Sequence, residues 1–107
     1  MAWKIRWSPP AVEDLEQIAD YIALDSSYYA AAFVREIRDA ARSLQHLARR
    51  GRVVPELSKT TLRELLVGNY RLIYQLKASD VVILAIVHGA RDLGTLWKRE
   101  GREGAEE

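Results

Sequence analysis

"LRELLVGNYRLIYQLKASDVVILAIVH", residues 62–88, decides the fold. Two runs rich in Leu, Val, Ile and Tyr, residues 62–67 and 70–77, flank Gly68-Asn69. That dipeptide suits a two-residue hairpin, because Gly takes the positive φ that a II′ turn demands. Ala78-Ser79-Asp80 turns the chain again, into seven consecutive apolar residues, Val81 to Val87. Such a run reads as a strand buried on both faces. The stretch predicts an antiparallel three-stranded meander.

A two-residue turn also sets a register. It pairs Val67 with Tyr70, so Leu65 faces Leu72 and Arg63 faces Tyr74 on one side of the sheet. Leu66 then faces Arg71 and Glu64 faces Ile73 on the other. With Lys77 opposite Asp80, Tyr74 meets Ile83, Leu72 meets Ala85, Ile73 meets Leu84 and Arg71 meets Ile86. A one-residue slip would turn the last strand over, since side chains alternate with period two.

Upstream, Trp3, Ile5 and Trp7 alternate with Lys4 and Arg6, the pattern of a half-buried strand. Ser8 is a good N-cap and Pro9 suits the first helical position, where a missing N–H costs nothing. Val12, Leu15, Ile18, Ala19 and Ile22 form one apolar stripe at helical spacing, and this helix should end near Leu24. "DSS" (25–27) is a turn and the next N-cap. From there Ala30, Phe33, Ile37, Ala40, Leu44 and Leu47 recur every three or four residues. Arg49 and Arg50 favour a helix C-terminus, and Gly51 suits the C′ position. Residues 9–50 are therefore expected as a helical hairpin, and "RVVPELSKT" (52–60) as a connecting loop. The fold class is α+β: an N-terminal strand, an antiparallel helical hairpin, then the meander, with the helices on one face of the sheet.

Two short helices cover one face of such a sheet. The other face would carry Leu62, Leu66, Ile73, Val82, Leu84 and Ile86 beside Glu64, Arg71 and His88. Apolar patches above a few hundred Å² rarely stay bare on monomers. A partner chain, a ligand or the chain's own tail from Leu93 to Trp97 should cover it, a partner chain being the favoured occupant.

Composition narrows the classes. The 107 residues, 49% hydrophobic and 29% charged, make one globular domain, expected over residues 1–99. "EGREGAEE" (100–107) holds four Glu and one Arg, a charge of −3, which leaves +4 on the rest; it is expected as an acidic flexible tail. Cysteine is absent, so no disulfide or thiolate chemistry arises. "MAWKIRWSPP" has no apolar signal region and no run approaches a membrane span, so a soluble, cytoplasmic protein is expected, with no membrane partner. No Walker loop, GxGxxG or HExxH occurs, and the two histidines stand 42 positions apart; neither cofactor nor metal is expected.

The order of pieces, from "WSPPAVEDLEQIADYIALDS" through "GRVVPEL" and "LRELLVGNYRLIYQL" to "VVILAIVHGARDL", resembles the RelE/ParE superfamily of toxins from type II toxin–antitoxin systems. The resemblance covers nearly the whole chain. It implies a small antiparallel sheet with a helical hairpin on one face. It also implies a cognate antitoxin, ParD-like or another small protein. RelE-like members cut messenger RNA in the ribosomal A site with basic residues and a C-terminal Tyr or His. ParE-like members poison DNA gyrase without nuclease activity.

Metal-free RNA cleavage needs a base, cations on the phosphate and an acid for the leaving oxygen. Arg63, Arg71 and Arg91 are the candidate cations, and His88, Glu64 and His46 the candidate bases. After Arg91, where RelE-like nucleases tend to place a Tyr, stands "DLGTLW", and the loop before the hairpin keeps only Lys59 of a basic patch. The resemblance therefore points to the ParE-like branch: a toxin with DNA gyrase as target, an antitoxin as partner, and no sequence-specific DNA binding of its own. An endoribonuclease using His88, Arg63, Arg71 and Arg91 is the enzymatic alternative, and a non-toxic interaction domain the third. Expected partner contacts are Leu66, Arg71, Ile73, Leu84, Ile86, Arg91 and Trp97, since Trp is enriched at interface anchors. Arg71 is expected to form an exposed pair with Glu64, and Arg63 to stack beside Tyr74.

Overall fold

A computed structural model describes residues 2–104. The elements are β1 (Lys4–Trp7), α1 (Pro9–Ala23), α2 (Ser27–Ser43), β2 (Arg52–Val53), β3 (Leu62–Val67), β4 (Tyr70–Lys77), β5 (Asp80–His88) and α3 (Leu93–Glu100), with a 3-10 turn over Arg102–Gly104. One five-stranded sheet has the order β1-β5-β4-β3-β2. All pairs are antiparallel except β1 with β5, which is parallel; the helical hairpin carries the chain from β1 at one edge to β2 at the other, and the following strands return to β1.

The caps stand where the sequence places them. Ser8 Oγ accepts from Ala11 N ahead of α1, and Ser26 Oγ accepts from Tyr29 N ahead of α2. The β3–β4 register is Val67 to Tyr70 through Arg63 to Tyr74, as the two-residue turn requires, with φ +58° at Gly68. Ala78 in the following turn also has positive φ, +56°. A Cβ in that region costs on the order of 1 kcal/mol.

Four expectations are corrected. The second helix stops at Ser43 rather than running to Arg50, so Leu47 is exposed instead of joining the seam. Gly51 is consequently no helix cap: its N–H donates to Tyr74 Oη at 3.0 Å, and Tyr74 Oη donates to Ala48 O at 2.8 Å. A Cβ at Gly51 would lie 2.5 Å from Tyr74 Oη and 2.6 Å from Glu64 O, so the close approach itself requires glycine. Part of the expected 52–60 loop is β2, an edge strand on β3.

The third correction concerns β5. Lys77 pairs with Asp80 and Tyr74 with Ile83, but a bulge follows, and Ile73 meets Ala85, Leu72 meets Ile86, Arg71 meets Val87 and Tyr70 meets His88. One extra residue on a strand turns everything beyond it over. Ile86 therefore joins the core beneath α1 and α2 with Ile37, Leu72 and Tyr74, and Ala85 and Val87 take the reverse face. His88 shares the helix side with Tyr70.

The fourth correction concerns the reverse face, which the chain largely closes itself. Leu93, Leu96 and Trp97 of α3, with Val54 and Leu62, bury Ile73, Val82, Leu84, Ala85 and Val87 in a second core. Asp92 caps α3 through Thr95, and Gly101 ends it at φ +54°. Burying a Leu-sized side chain contributes about 1.5–3 kcal/mol, which is why an eight-residue helix with three such anchors stays down. The acidic segment after α3 docks as well: Arg102 is buried against Asp14. Residues 105–107 of the expected tail lie outside the described residues.

Candidate functional site

On the reverse face, β3 and β4 bring Glu64 and Arg71 together, since the register sets Glu64 opposite Ile73 and Leu66 opposite Arg71. The pair is buried rather than exposed, Glu64 at 1% and Arg71 at 5%. Arg71 Nε donates to Glu64 Oε1 at 2.6 Å, while Nη1 and Nη2 donate to the two oxygens of Glu56 at 2.8 and 2.7 Å. Arg52 from β2 donates to the second Glu64 oxygen. Each nitrogen of Arg71 thus donates to one of two carboxylates, with Glu56 held in the bidentate geometry guanidinium favours. Hydrogen bonds from Arg71 hold the Glu56 carboxyl below its usual range, and Glu56, then Glu64, raise the Arg71 affinity for its proton.

Beside this network a cavity of about 310 Å³ is lined by Arg52, Pro55, Glu56, Leu66, Arg71 and Gly89. Leu66 is 65% exposed, and it is the one apolar residue expected on the reverse face that stays open. Ile73 and Leu84 are sealed under α3, Ile86 lies under the hairpin, and Trp97 is itself a lid, its Nε1 donating to Glu103 at 3.0 Å.

The corner at the end of β5 is a second site. His88 is exposed; its Nδ1 accepts from Ala90 N at 3.1 Å, and its ring meets Tyr70 edge-on at 5.3 Å. A cleft of about 220 Å³ joins His88 and Arg91 to Tyr70, Gln17, Ile18 and Asp14. The Arg91 side chain is exposed and makes no hydrogen bond or ion pair among the described residues. Asp14 is already committed: it accepts from Ile86 N and binds Arg102, whose Nη1 also donates to Leu84 O. Those backbone groups lie just past Ile83, where β1 stops covering the β5 edge, so two side chains stand in for the missing strand.

The residues considered for RNA cleavage are therefore not gathered into one site: Arg71 is paired with Glu64, away from His88. Arg71 and His88 stand on opposite faces. Arg63 donates to the carbonyls of Gly51 at 2.9 Å and Arg49 at 3.3 Å, instead of stacking freely by Tyr74. It pairs with Tyr74, four residues along β4 from the Tyr70 that meets His88, roughly 13 Å at strand rise. His46 follows α2 in a turn beside Trp3 and Arg49. Only His88 and Arg91 share a cleft. Among the described residues no group of His, Asp and Glu could hold a metal.

Sequence reasoning passed over α3 and Arg102. The signals for α3 were present: Asp92 before Leu93, the Leu93–Leu96–Trp97 spacing, Lys98 and Arg99 in the last turn, and Gly101. Arg102 had none for its docking on the body of the fold, because Asp14 and Leu84 lie 88 and 18 positions away.

The helical hairpin laid on a β1-β5-β4-β3-β2 sheet is the RelE/ParE-like toxin fold. The toxin–antitoxin structure of the chromosomal ParDE system from P. aeruginosa matches with a TM-score of 0.68 at 24% identity, covering 81% of this chain and 96% of that one. The RelBE2 toxin–antitoxin complex of Mycobacterium tuberculosis matches with a TM-score of 0.58 at 22% identity, covering 82% of this chain and 99% of that one. No curated protein matches the chain significantly. Residues 5–93 match the family described as "ParE toxin of type II toxin-antitoxin system, parDE", and the chain belongs to that family. No helix among the described residues is long and apolar enough to cross a membrane.

Proposed function

We propose that this ParE-type toxin inhibits DNA gyrase without cleaving RNA, and that a cognate antitoxin holds it inactive. The observation that carries this reading is the state of its cations. A phosphate gaining charge needs guanidinium groups free to receive it, yet Arg71 is held by Glu56 and Glu64, and Arg63 by two backbone carbonyls. His88 keeps one companion, Arg91. Binding, rather than bond breaking, is what such a corner suits. The antitoxin contacts supported by exposure are Leu66 with its rim of Arg52 and Glu56, and Arg91 with His88, where an acidic segment fits.

The purified chain is to be assayed side by side for loss of gyrase supercoiling and for translation-coupled messenger cleavage. Loss of supercoiling with intact message is expected. Cleavage with normal supercoiling would assign the enzymatic alternative, and healthy cells with neither effect the non-toxic interaction domain. Arg91→Glu should weaken the antitoxin complex about ten-fold, as a charged hydrogen bond contributes ~1.5 kcal/mol.

A further inference from the structure

The turn between α1 and α2 presents Tyr21, Leu24, Tyr28 and Tyr29, each between 65% and 82% exposed. None of them serves either core. The turn is nonetheless tightly held. Leu24 N donates to Tyr21 O at 3.2 Å, Asp25 N to Ile22 O at 3.1 Å, and Ser26 Oγ accepts from Tyr29 N at 3.1 Å. Tyr28 and Tyr29 meet edge-on, with centroids 5.4 Å apart. Rigid exposed aromatics lose little freedom on binding, which is the composition of an interface anchor.

Charge says what they would meet. From Trp7 to Val34 the chain has Glu13, Asp14, Glu16, Asp20 and Asp25 and no Lys or Arg; all 16 basic residues lie elsewhere. Asp14 is neutralised by Arg102, whereas Asp20 and Asp25 beside the aromatics make no ion pair among the described residues. An acidic tip is repelled by nucleic acid and by anionic lipid. It is also repelled by an acidic segment of the kind that suits Arg91, so the two ends of the molecule favour partners of opposite sign.

We infer that the hairpin tip is the surface with which the toxin docks on its target, a Lys/Arg-rich protein surface of the kind that grips DNA. The inference rests on the gyrase reading for the name of that target, and on the tip alone for its chemistry.

Two double variants test it, Asp20→Lys with Asp25→Lys and Leu24→Ser with Tyr28→Ser, all at exposed positions. Thermal melts check that each variant is folded. Each should raise the concentration needed for half-inhibition of gyrase supercoiling at least ten-fold and relieve growth arrest, with antitoxin co-purification unchanged. Folded variants that still inhibit and still arrest growth overturn the tip while leaving the gyrase reading intact. Should the unmodified chain leave gyrase untouched, that reading fails, and growth arrest decides the tip: arrest lost in the variants supports it, arrest retained overturns it. A dimer of the unmodified chain that dissociates in the variants, lost antitoxin binding, or absence of arrest by the unmodified chain each overturns it.

Discussion

Arg102→Ala should lower the melting temperature by about 13 °C, although residues 100–107 read as a solvated tail. The guanidinium donates to both oxygens of Asp14, to Leu84 O and to Glu100, with only 7% of the side chain exposed against 13% for Asp14. Truncation leaves a nearly buried carboxylate with one donor, Ile86 N, and removes the guanidinium that donates to Leu84 O. Breaking a buried ion pair costs roughly 3–5 kcal/mol. The low end applies because Asp14 keeps its backbone donor, giving about 3 kcal/mol. Unfolding entropy near 2.1 cal/mol/K per residue over 107 residues converts this to about 13 °C. Calorimetric melts of Arg102→Ala, Asp14→Asn and the double variant measure it. The double variant should be more stable than the two single losses added together, since it strands no charge. A shift below ~2 °C for Arg102→Ala would match an exposed residue and refute the docked segment.

Two further outcomes concern the remaining close contacts. Gly51→Ala should cost about 1–3 kcal/mol, because the added Cβ meets Tyr74 Oη and the Glu64 carbonyl, and one of those is backbone that cannot swing away; equilibrium denaturation reads it. Glu56 and Glu103 are held below their ordinary value of 4.5, Glu56 by hydrogen bonds from Arg71 and Glu103 by Lys59. A carboxylate depressed in the folded state contributes stability that is present above its unfolded value and lost as pH falls through the folded one. Melting temperature should therefore decline below about pH 4.5, and Glu56→Gln should flatten that decline; melts across acid pH, unchanged in slope for the variant, would contradict it.

Local chemistry carried much of the fold. Ser8 and Ser26 cap their helices, Gly68 turns the hairpin, and the β3–β4 register follows from a two-residue loop, because each depends on neighbours a few positions away. The end of α2 was less legible: Leu44 and Leu47 continue the helical period, but the chain leaves the helix at Ser43, and Gly51 passes against Tyr74, 23 positions away. The candidate site suffered most from one residue. The bulge in β5 carried Ile86 and His88 to the helix side and parted His88 from Arg71, which no alternation of apolar residues announces.

The sequence by itself determined the first strand, the helical hairpin, the three meander strands with their turns, and the family, all properties of short-range spacing and order. Only the tertiary structure decided which surfaces remain for a partner. That outcome depends on long-range contacts: α3 sealing Ile73 and Leu84, two carboxylates occupying Arg71, and Arg102 and Asp14 closing the β5 edge that β1 leaves open. A buried charge or an orphaned backbone group is satisfied by whatever the fold brings within hydrogen-bond reach, and separation along the chain does not foretell it.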